Sequence, residues 1–288
     1  MTARELVLDA EARFVAAKLV FGHGTDNARD EAVFLIFHTL DLPFDASDEM
    51  LDQPLDRAAR AAAETIVAER IRSRRPAAYL TGRMWFAGHE FHVDDRVLVP
   101  RSPIAELINA AFDPWINAKL IHRVLEIGTG SGCIALATAL ALPHAKVDAT
   151  DISSEALAVA ALNLERFPHL SSRVRFIEAD LFPPSHTQYD LIVTNPPYVP
   201  GKIAAALPPE YQHEPAVALA AGSDGLMLVR RILQDAPDRL TDNGVIIIDV
   251  GEMADALDRE FHAVSFTWID LEFGGEGIGI AYKRDLLR

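Results

Sequence analysis

The sequence predicts an α/β protein: a mostly parallel, doubly wound sheet ending in an antiparallel C-terminal hairpin, preceded by a small helical domain. Three observations predict it. From about residue 122, apolar strand-like runs alternate with helix-length segments, the signature of a parallel sheet with crossover helices on both faces. A glycine-rich turn, Gly128 to Gly132, directly follows the first of those runs, and glycine lets a strand turn sharply into a helix. The first 76 residues carry apolar side chains at helical spacing and show no strand-like run.

Taken in order, Arg4 to Phe21 places Leu6, Ala10, Phe14, Ala17 and Phe21 on one helical face, and GHGTDN breaks it. Asp30 to Leu40 reads as a second helix stopped near Pro43, and Asp56 to Arg75 as a third with Pro76 just beyond it. Tyr79 to Pro100 mixes aromatic and β-branched residues. WFAGHEFHV and RVLVP, separated by Asp94-Asp95, predict a β-hairpin linker. A short helix, Ile104 to Phe112, follows Pro100 and Pro103.

Strands are then expected at 124–127, 146–150, 173–178, 191–194 and 245–250. The last is apolar at every position but one and should be central. Helices are expected at 134–142, from Ser153 to Arg166, at 225–240 with Pro237 distorting the end, and at 252–261. Phe266 to Leu271 and Ile278 to Lys283 should pair as the terminal hairpin. The domain boundaries on this reading are 1–76, 77–100 and 101–288.

Half of the 288 residues are hydrophobic and 24% are charged, which suffices for a sizeable core. The net charge of −15 argues against a broad nucleic-acid clamp, which needs local positive charge, and suits docking onto a basic partner. The single cysteine, Cys133, excludes an intrachain disulfide and a cysteine zinc cage, and fits a reducing cytoplasm. Cys133 reads as a small buried residue. The opening MTARELVLDAEARF lacks a cationic start followed by an apolar run, so no secretory leader is expected. No stretch reaches the roughly 20 apolar residues of a membrane span. His89 and His92 lie three apart without a suitably spaced third ligand, so no metal is expected.

The glycine loop has a chemical preference. A dinucleotide fingerprint expects G-x-G-x-x-G, but here the third glycine comes one residue early and Cys133 occupies its place. Glu126 precedes the loop, and a carboxylate suits an ammonium better than a pyrophosphate. S-adenosylmethionine carries an amino-acid tail and no phosphate. Asp151, beside Ile152 and 19 residues after Gly132, is placed to accept from ribose hydroxyls. Asp180 could accept from an exocyclic amine, with Leu181 and Phe182 lining the base pocket. Glu126, Gly128, Thr129, Gly130, Ser131, Gly132, Asp151, Ile152, Asp180, Leu181 and Asn195 are therefore the candidate cofactor residues.

Asn195-Pro196-Pro197-Tyr198 follows the fourth expected strand of this domain. Ligands in such folds bind at the carboxyl ends of strands. Two consecutive prolines stiffen the chain and remove two backbone donors. What remains are fixed acceptors, the Asn195 side-chain oxygen and the Pro196 carbonyl, and the flat face of Tyr198. That set suits a planar nitrogen carrying two hydrogens, whose lone pair is otherwise delocalised. Asn195, Pro196, Pro197 and Tyr198 are the candidate catalytic residues.

These motifs, with Leu98-Val99-Pro100-Arg101, resemble the protein-glutamine methyltransferase family over nearly the whole chain. The resemblance implies a Rossmann-like class I methyltransferase domain and a helical amino-terminal domain that helps recognise a protein substrate. Release-factor enzymes of this family usually continue P-D-T-E after Pro-Arg, whereas this chain has Ser102-Pro103-Ile104-Ala105-Glu106-Leu107. That sequence, Tyr211 to Pro215, Phe266-Thr267-Trp268 and Phe273 to Gly277 resemble the branch that methylates large-subunit ribosomal protein L-three.

Other readings remain open on the residues alone: a release-factor GGQ methyltransferase, a nucleic-acid adenine methyltransferase, or a non-catalytic ribosome-assembly factor. Arg70, Arg72, Arg74 and Arg75 read as a solvated helix end that favours the helix dipole, with ribosomal RNA contact as the functional alternative. His213 and Glu214 read as holding the loop after Tyr198 against the sheet, or else as a lid.

Overall fold

The computed structural model describes residues 1–287. Three main helices, Ala3–Ala16, Ala28–Leu40 and Arg57–Ser73, open the chain. Each begins at a side-chain cap. Thr2 and Glu5 form a reciprocal capping box, and Asn27 and Asp56 accept from the third backbone N–H beyond them. The apolar faces close on one cluster that includes Phe14, Leu35, Ile36 and Val67. A short helix, Ala77–Thr81, ends at left-handed Gly82.

The hairpin exists but turns elsewhere than expected. Strand β1 (Arg83–Phe86) pairs antiparallel with β2 (His89–His92). The turn is Ala87-Gly88, both at positive φ, as a two-residue hairpin turn demands. Asp94-Asp95 is not the turn. Asp94 accepts instead from the Arg96 backbone N–H and guanidinium, and RVLVP runs as an irregular segment rather than a strand. Its Val97 and Val99 are buried nonetheless. The apolar pattern marked burial there, not pairing.

The remaining strands form one seven-stranded sheet: β3 (Arg123–Ile127), β4 (Lys146–Asp151), β5 (Val174–Glu178), β6 (Tyr189–Thr194), β7 (Leu240–Asp249), β8 (Thr267–Trp268) and β9 (Ile278–Tyr282). The order is β5-β4-β3-β6-β7-β9-β8, with β3 to β7 parallel and β9 antiparallel to both neighbours. β7 is interior, between β6 and β9, but the middle place belongs to β6. The chain leaves β3 toward β4 and β5, then returns to β6 on its other side. The carboxyl ends of β3 and β6 thus flank the topological switch point, where open α/β sheets bind ligands.

Crossover helices Cys133–Ala141, Ser154–Glu165 and Met227–Arg239 cover the sheet, the second capped by Ser153 as expected. Pro237 lies in the last turn of the third helix, which ends two residues later. The two faces of the sheet carry separate apolar clusters, one with Val124, Val193 and Ile247, the other with Leu125, Ile192 and Ile246. Neighbouring residues of one strand go to opposite clusters, as pleating requires. Among the described residues no helix is long and apolar enough to cross a membrane.

Candidate active site

β3 ends in a buried glutamate and then turns. Glu126 is 1% exposed, its Oε2 accepts from Thr129 Oγ, and its Oε1 has no partner. Burial pushes its carboxyl up to about 8 despite the Thr129 hydroxyl. The backbone N–H groups of Gly128 and Thr129 both bond the Thr150 carbonyl, which folds the loop over the end of β4. Gly128 and Gly130 are at positive φ, and a side chain on either would point into open space. That space is a cavity of about 330 Å³.

Asp151, Ile152, Asp180, Leu181, Asn195, Pro196 and Pro197 share its wall with Gly128 and Gly130. Asp151 is fixed by two backbone donors, Gly130 N–H at 2.8 Å and Ser153 N–H at 2.9 Å. Each carboxylate oxygen keeps a lone pair for a hydroxyl donor. Asp180 is engaged by Arg231, Nη2 to Oδ2 at 2.8 Å. An arriving amine would share that carboxylate with the guanidinium. Glu126, Thr129, Ser131 and Cys133 line a small adjoining recess that also reaches Gly128, Gly130 and Asn195.

Two expected residues fall outside. Gly132 lines neither space. A Cβ there would meet Ala160 Cβ at 3.0 Å and Phe176 Cζ at 3.1 Å, so this glycine serves close packing. Phe182 packs on the core with the Arg239 guanidinium over its ring. Cys133 is buried, and its thiol is pushed up to about 12 by that burial. An un-ionised thiol is no nucleophile.

A second cavity, about 260 Å³, adjoins the first through Leu98, Asn195, Pro196, Pro197 and Ala218. Arg101, Ser102, Tyr198, Tyr211 and Asp249 complete much of its wall. Asn195 lines both cavities and the recess. Thr194 fixes the end of β6 by donating its hydroxyl to the Ile127 carbonyl, while the Asn195 carboxamide has no protein partner among the described residues. The Tyr198 ring lies against Gly251, where a Cβ would come within 3.0 Å of it. Burial, with Asp249 nearby, lifts the phenol to about 12.

The loop after Tyr198 returns to the linker. Glu214 is buried and accepts from Val99 N–H and from both Arg101 terminal nitrogens. Arg74 reaches Glu210 at 2.6 Å, and Arg70 is fully buried against Glu31. Arg72 pairs with Glu69 on the same helix. The expected solvated helix end holds for Arg72, which stays exposed, but not for Arg70, which is buried, while Arg74 is partly drawn inward by a carboxylate distant in sequence.

Sequence reasoning assigned no site role to Asp249, Arg231 or the 215–220 segment that lines the first cavity, and Leu98 entered only through the family resemblance. Asp249 did carry a signal, as the lone carboxylate closing an apolar strand at the ligand-binding rim. Residues 216–220 carried none. A larger cavity of about 380 Å³ lies at the opposite end of the strands. Its Arg173 caps the carbonyls of Ala139, Leu142 and Ala145, and its Arg175 pairs with Asp148. Those guanidiniums are structural.

A glycine loop at the switch point, a carboxylate ending the next strand and an acceptor tetrapeptide across the rim define a class I methyltransferase. A family model described as methyltransferase small domain matches residues 111–207. The solved hMettl16 catalytic domain, in complex with the MAT2A 3′UTR hairpin 6, matches with a TM-score of 0.51 over 79% of this chain and 81% of that one. At 18% identity it speaks for the fold alone.

Nearer relatives narrow the class. Ribosomal protein uL3 glutamine methyltransferases match 99% of this chain: that of Bordetella pertussis at 46% identity over 96% of its own length, that of Xanthomonas campestris pv. campestris at 45% over 92%, and that of Neisseria gonorrhoeae at 43% over 95%. The chain belongs to this family of uL3 glutamine methyltransferases.

Proposed function

We propose that this enzyme transfers a methyl group from S-adenosylmethionine to the side-chain amide nitrogen of a glutamine in ribosomal protein uL3. The observation that carries the reading is the place of Asn195, on the shared wall of a nucleoside-sized cavity and a smaller one. The curated relatives supply the identity of the acceptor.

The first cavity and the recess beside it fit the cofactor. In the recess, the partnerless Glu126 Oε1 beside open glycine backbone suits the ammonium of the amino-acid tail. Asp151 suits the ribose hydroxyls, Asp180 the adenine amine, and Ile152 and Leu181 the faces of the base. When bound, S-adenosylmethionine supplies an electrophilic methyl on a sulfonium leaving group. The protein's task is then positioning and electrostatic complementarity.

Asn195 Oδ1 and the Pro196 carbonyl take the two amide hydrogens of the glutamine. They bias the nitrogen toward a tetrahedral shape, so that its lone pair points across the shared wall. The face of Tyr198 holds the planar amide. Pro196 and Pro197 keep the acceptors rigid, which limits the reorganisation needed at the moment of reaction. Residues 1–76 act as the substrate-recognition domain and 77–100 as the linker, in a soluble cytoplasmic protein. An acidic chain of net charge −15 suits a basic ribosomal partner.

Purified protein, labelled S-adenosylmethionine and uL3 test this directly. Label should enter uL3 and map by mass spectrometry, as one added CH₂, to a glutamine side chain. Equal labelling of a release factor, or labelling only of adenine-containing nucleic acid, would refute the assignment.

A further inference from the structure

The second cavity holds a carboxylate with no assigned task. Asp249 is 2% exposed and ends β7. The β6–β7 register pairs Thr194 with Ile248, so Asn195 and Asp249 are the next residues on adjacent parallel strands. Strands in a sheet run about 4.8 Å apart, and both residues line the second cavity. Asp249 is the one carboxylate in that wall among the described residues.

Its oxygens are oriented. Oδ2 accepts from Ser102 Oγ at 2.7 Å, and Oδ1 from Gly251 N–H at 3.2 Å. Ser102 Oγ in turn accepts from Ile104 N–H at 3.3 Å, which leaves its hydrogen to Asp249. Each Asp249 oxygen retains a lone pair for a donor in the cavity.

We infer that Asp249 is a catalytic residue: the acceptor of the proton that the glutamine amide loses on methylation. The inference rests on the glutamine-methyltransferase reading above. The amide nitrogen uses its lone pair to form the N–C bond, the C–S bond breaks, and its electron pair stays on sulfur. The nitrogen then carries one hydrogen too many. One of the two hydrogens, let go by its acceptor once the nitrogen bears the positive charge, passes as a proton to the Asp249 carboxylate and leaves to water when product is released. Asn195 sets the nitrogen's geometry, and Asp249 removes its surplus charge beside a wall of proline and tyrosine.

The surroundings permit ionisation in the working range. Burial raises the Asp249 carboxyl to about 6, while the Ser102 hydroxyl, the Gly251 N–H and the Arg101 charge pull the other way. Arg101 is largely neutralised by Glu214. Tyr198, Tyr211 and Glu252 are the other ionisable groups around this wall, and the Tyr198 phenol, raised to about 12 by its burial, stays protonated at neutral pH.

The experiment is a pH profile of kcat/KM for uL3 at saturating S-adenosylmethionine, with ¹³C NMR of the Asp249 carboxyl in the cofactor-bound protein without uL3, so that both read the same species. The wild type should show an acid limb that follows the NMR titration. Asp249→Asn should cut kcat by about 10² or more, the range of a general base, and abolish the limb. Ser102→Ala should move both limb and NMR midpoint upward, because the ionised form loses a donor. An Asp249→Asn enzyme that keeps the limb, or a Ser102→Ala enzyme whose limb does not move, would overturn the inference while leaving the reaction intact. A wild type that fails to methylate glutamine would overturn the underlying reading and this inference with it.

Discussion

Glu214 holds Arg101 with both carboxylate oxygens, Nη1 to Oε1 at 2.6 Å and Nη2 to Oε2 at 2.8 Å. The pair joins the loop after Tyr198 to the irregular segment that supplies Leu98 to both cavities. His23 of the helical domain stands 3.7 Å from the same carboxylate, and its burial lowers its pKa to about 3, so it stays neutral. Removing one partner of a buried pair leaves an uncompensated charge. Arg101→Ala should therefore destabilise the protein by about 3 kcal/mol in urea unfolding and raise KM for uL3 more than it lowers kcat. A variant that unfolds like wild type, with unchanged KM, would show the clamp to be incidental.

Asn195→Ala addresses the chemistry itself. The carboxamide has no protein partner to lose, so the fold should be indifferent to the change. Loss of one preorganised polar contact to a reacting group costs about 10²–10³ in kcat. Turnover should fall by that factor while calorimetry returns nearly the wild-type affinity for S-adenosylhomocysteine. Collapse of both together would place Asn195 in cofactor binding alone.

The contrast between Glu126 and Asp249 shows what a sequence makes legible. Glu126 stood out because a glycine loop beside it announced a ligand. Asp249 closes an apolar strand just as visibly, yet its meaning depends on which strand lies next to it, and sheet order is set by long-range pairing. The same holds for Arg70 and Arg74, whose helix was readable but whose partners Glu31 and Glu210 lie 39 and 136 residues away. The hairpin failed differently. Val97 and Val99 are as apolar as strand residues, but two positive-φ positions at Ala87-Gly88 had already turned the chain. Alternation from 122 onward read well because periodicity is local. The segment at 215–220, a single 3-10 turn over Ala216–Ala218, is too short to show a period.

Glu126 offers a measurable proton. Its carboxyl is raised to about 8 by burial, so near pH 6.5 it is mostly protonated in the free enzyme. Pairing with an ammonium requires the ionised form. Cofactor binding should then release close to one proton per molecule, seen as a dependence of the calorimetric heat on buffer ionisation enthalpy. From pH 6 to 7 the affinity should climb, by at most about tenfold per unit. Glu126→Gln should abolish the release and weaken binding. Wild-type binding without proton release would separate Glu126 from the ammonium.

The same group should govern the stability of the cofactor-free protein. Its folded pKa lies above the 4.5 of an ordinary glutamate, so over that window the folded state binds more protons than the unfolded chain. Stability from this source is complete below about 4.5 and is lost as pH rises through 8. Asp249 behaves alike between 3.8 and about 6. Above pH 6 the Asp249 contribution is already spent, which isolates Glu126. Unfolding free energies of wild type and Glu126→Gln should therefore diverge between pH 6 and 8, with the wild type losing on the order of 2 kcal/mol more. The neutral glutamine has no proton to give up, so its curve should be the flatter one. Parallel curves would mean that Glu126 is ionised in the folded protein well below pH 8, with an internal partner for its second oxygen.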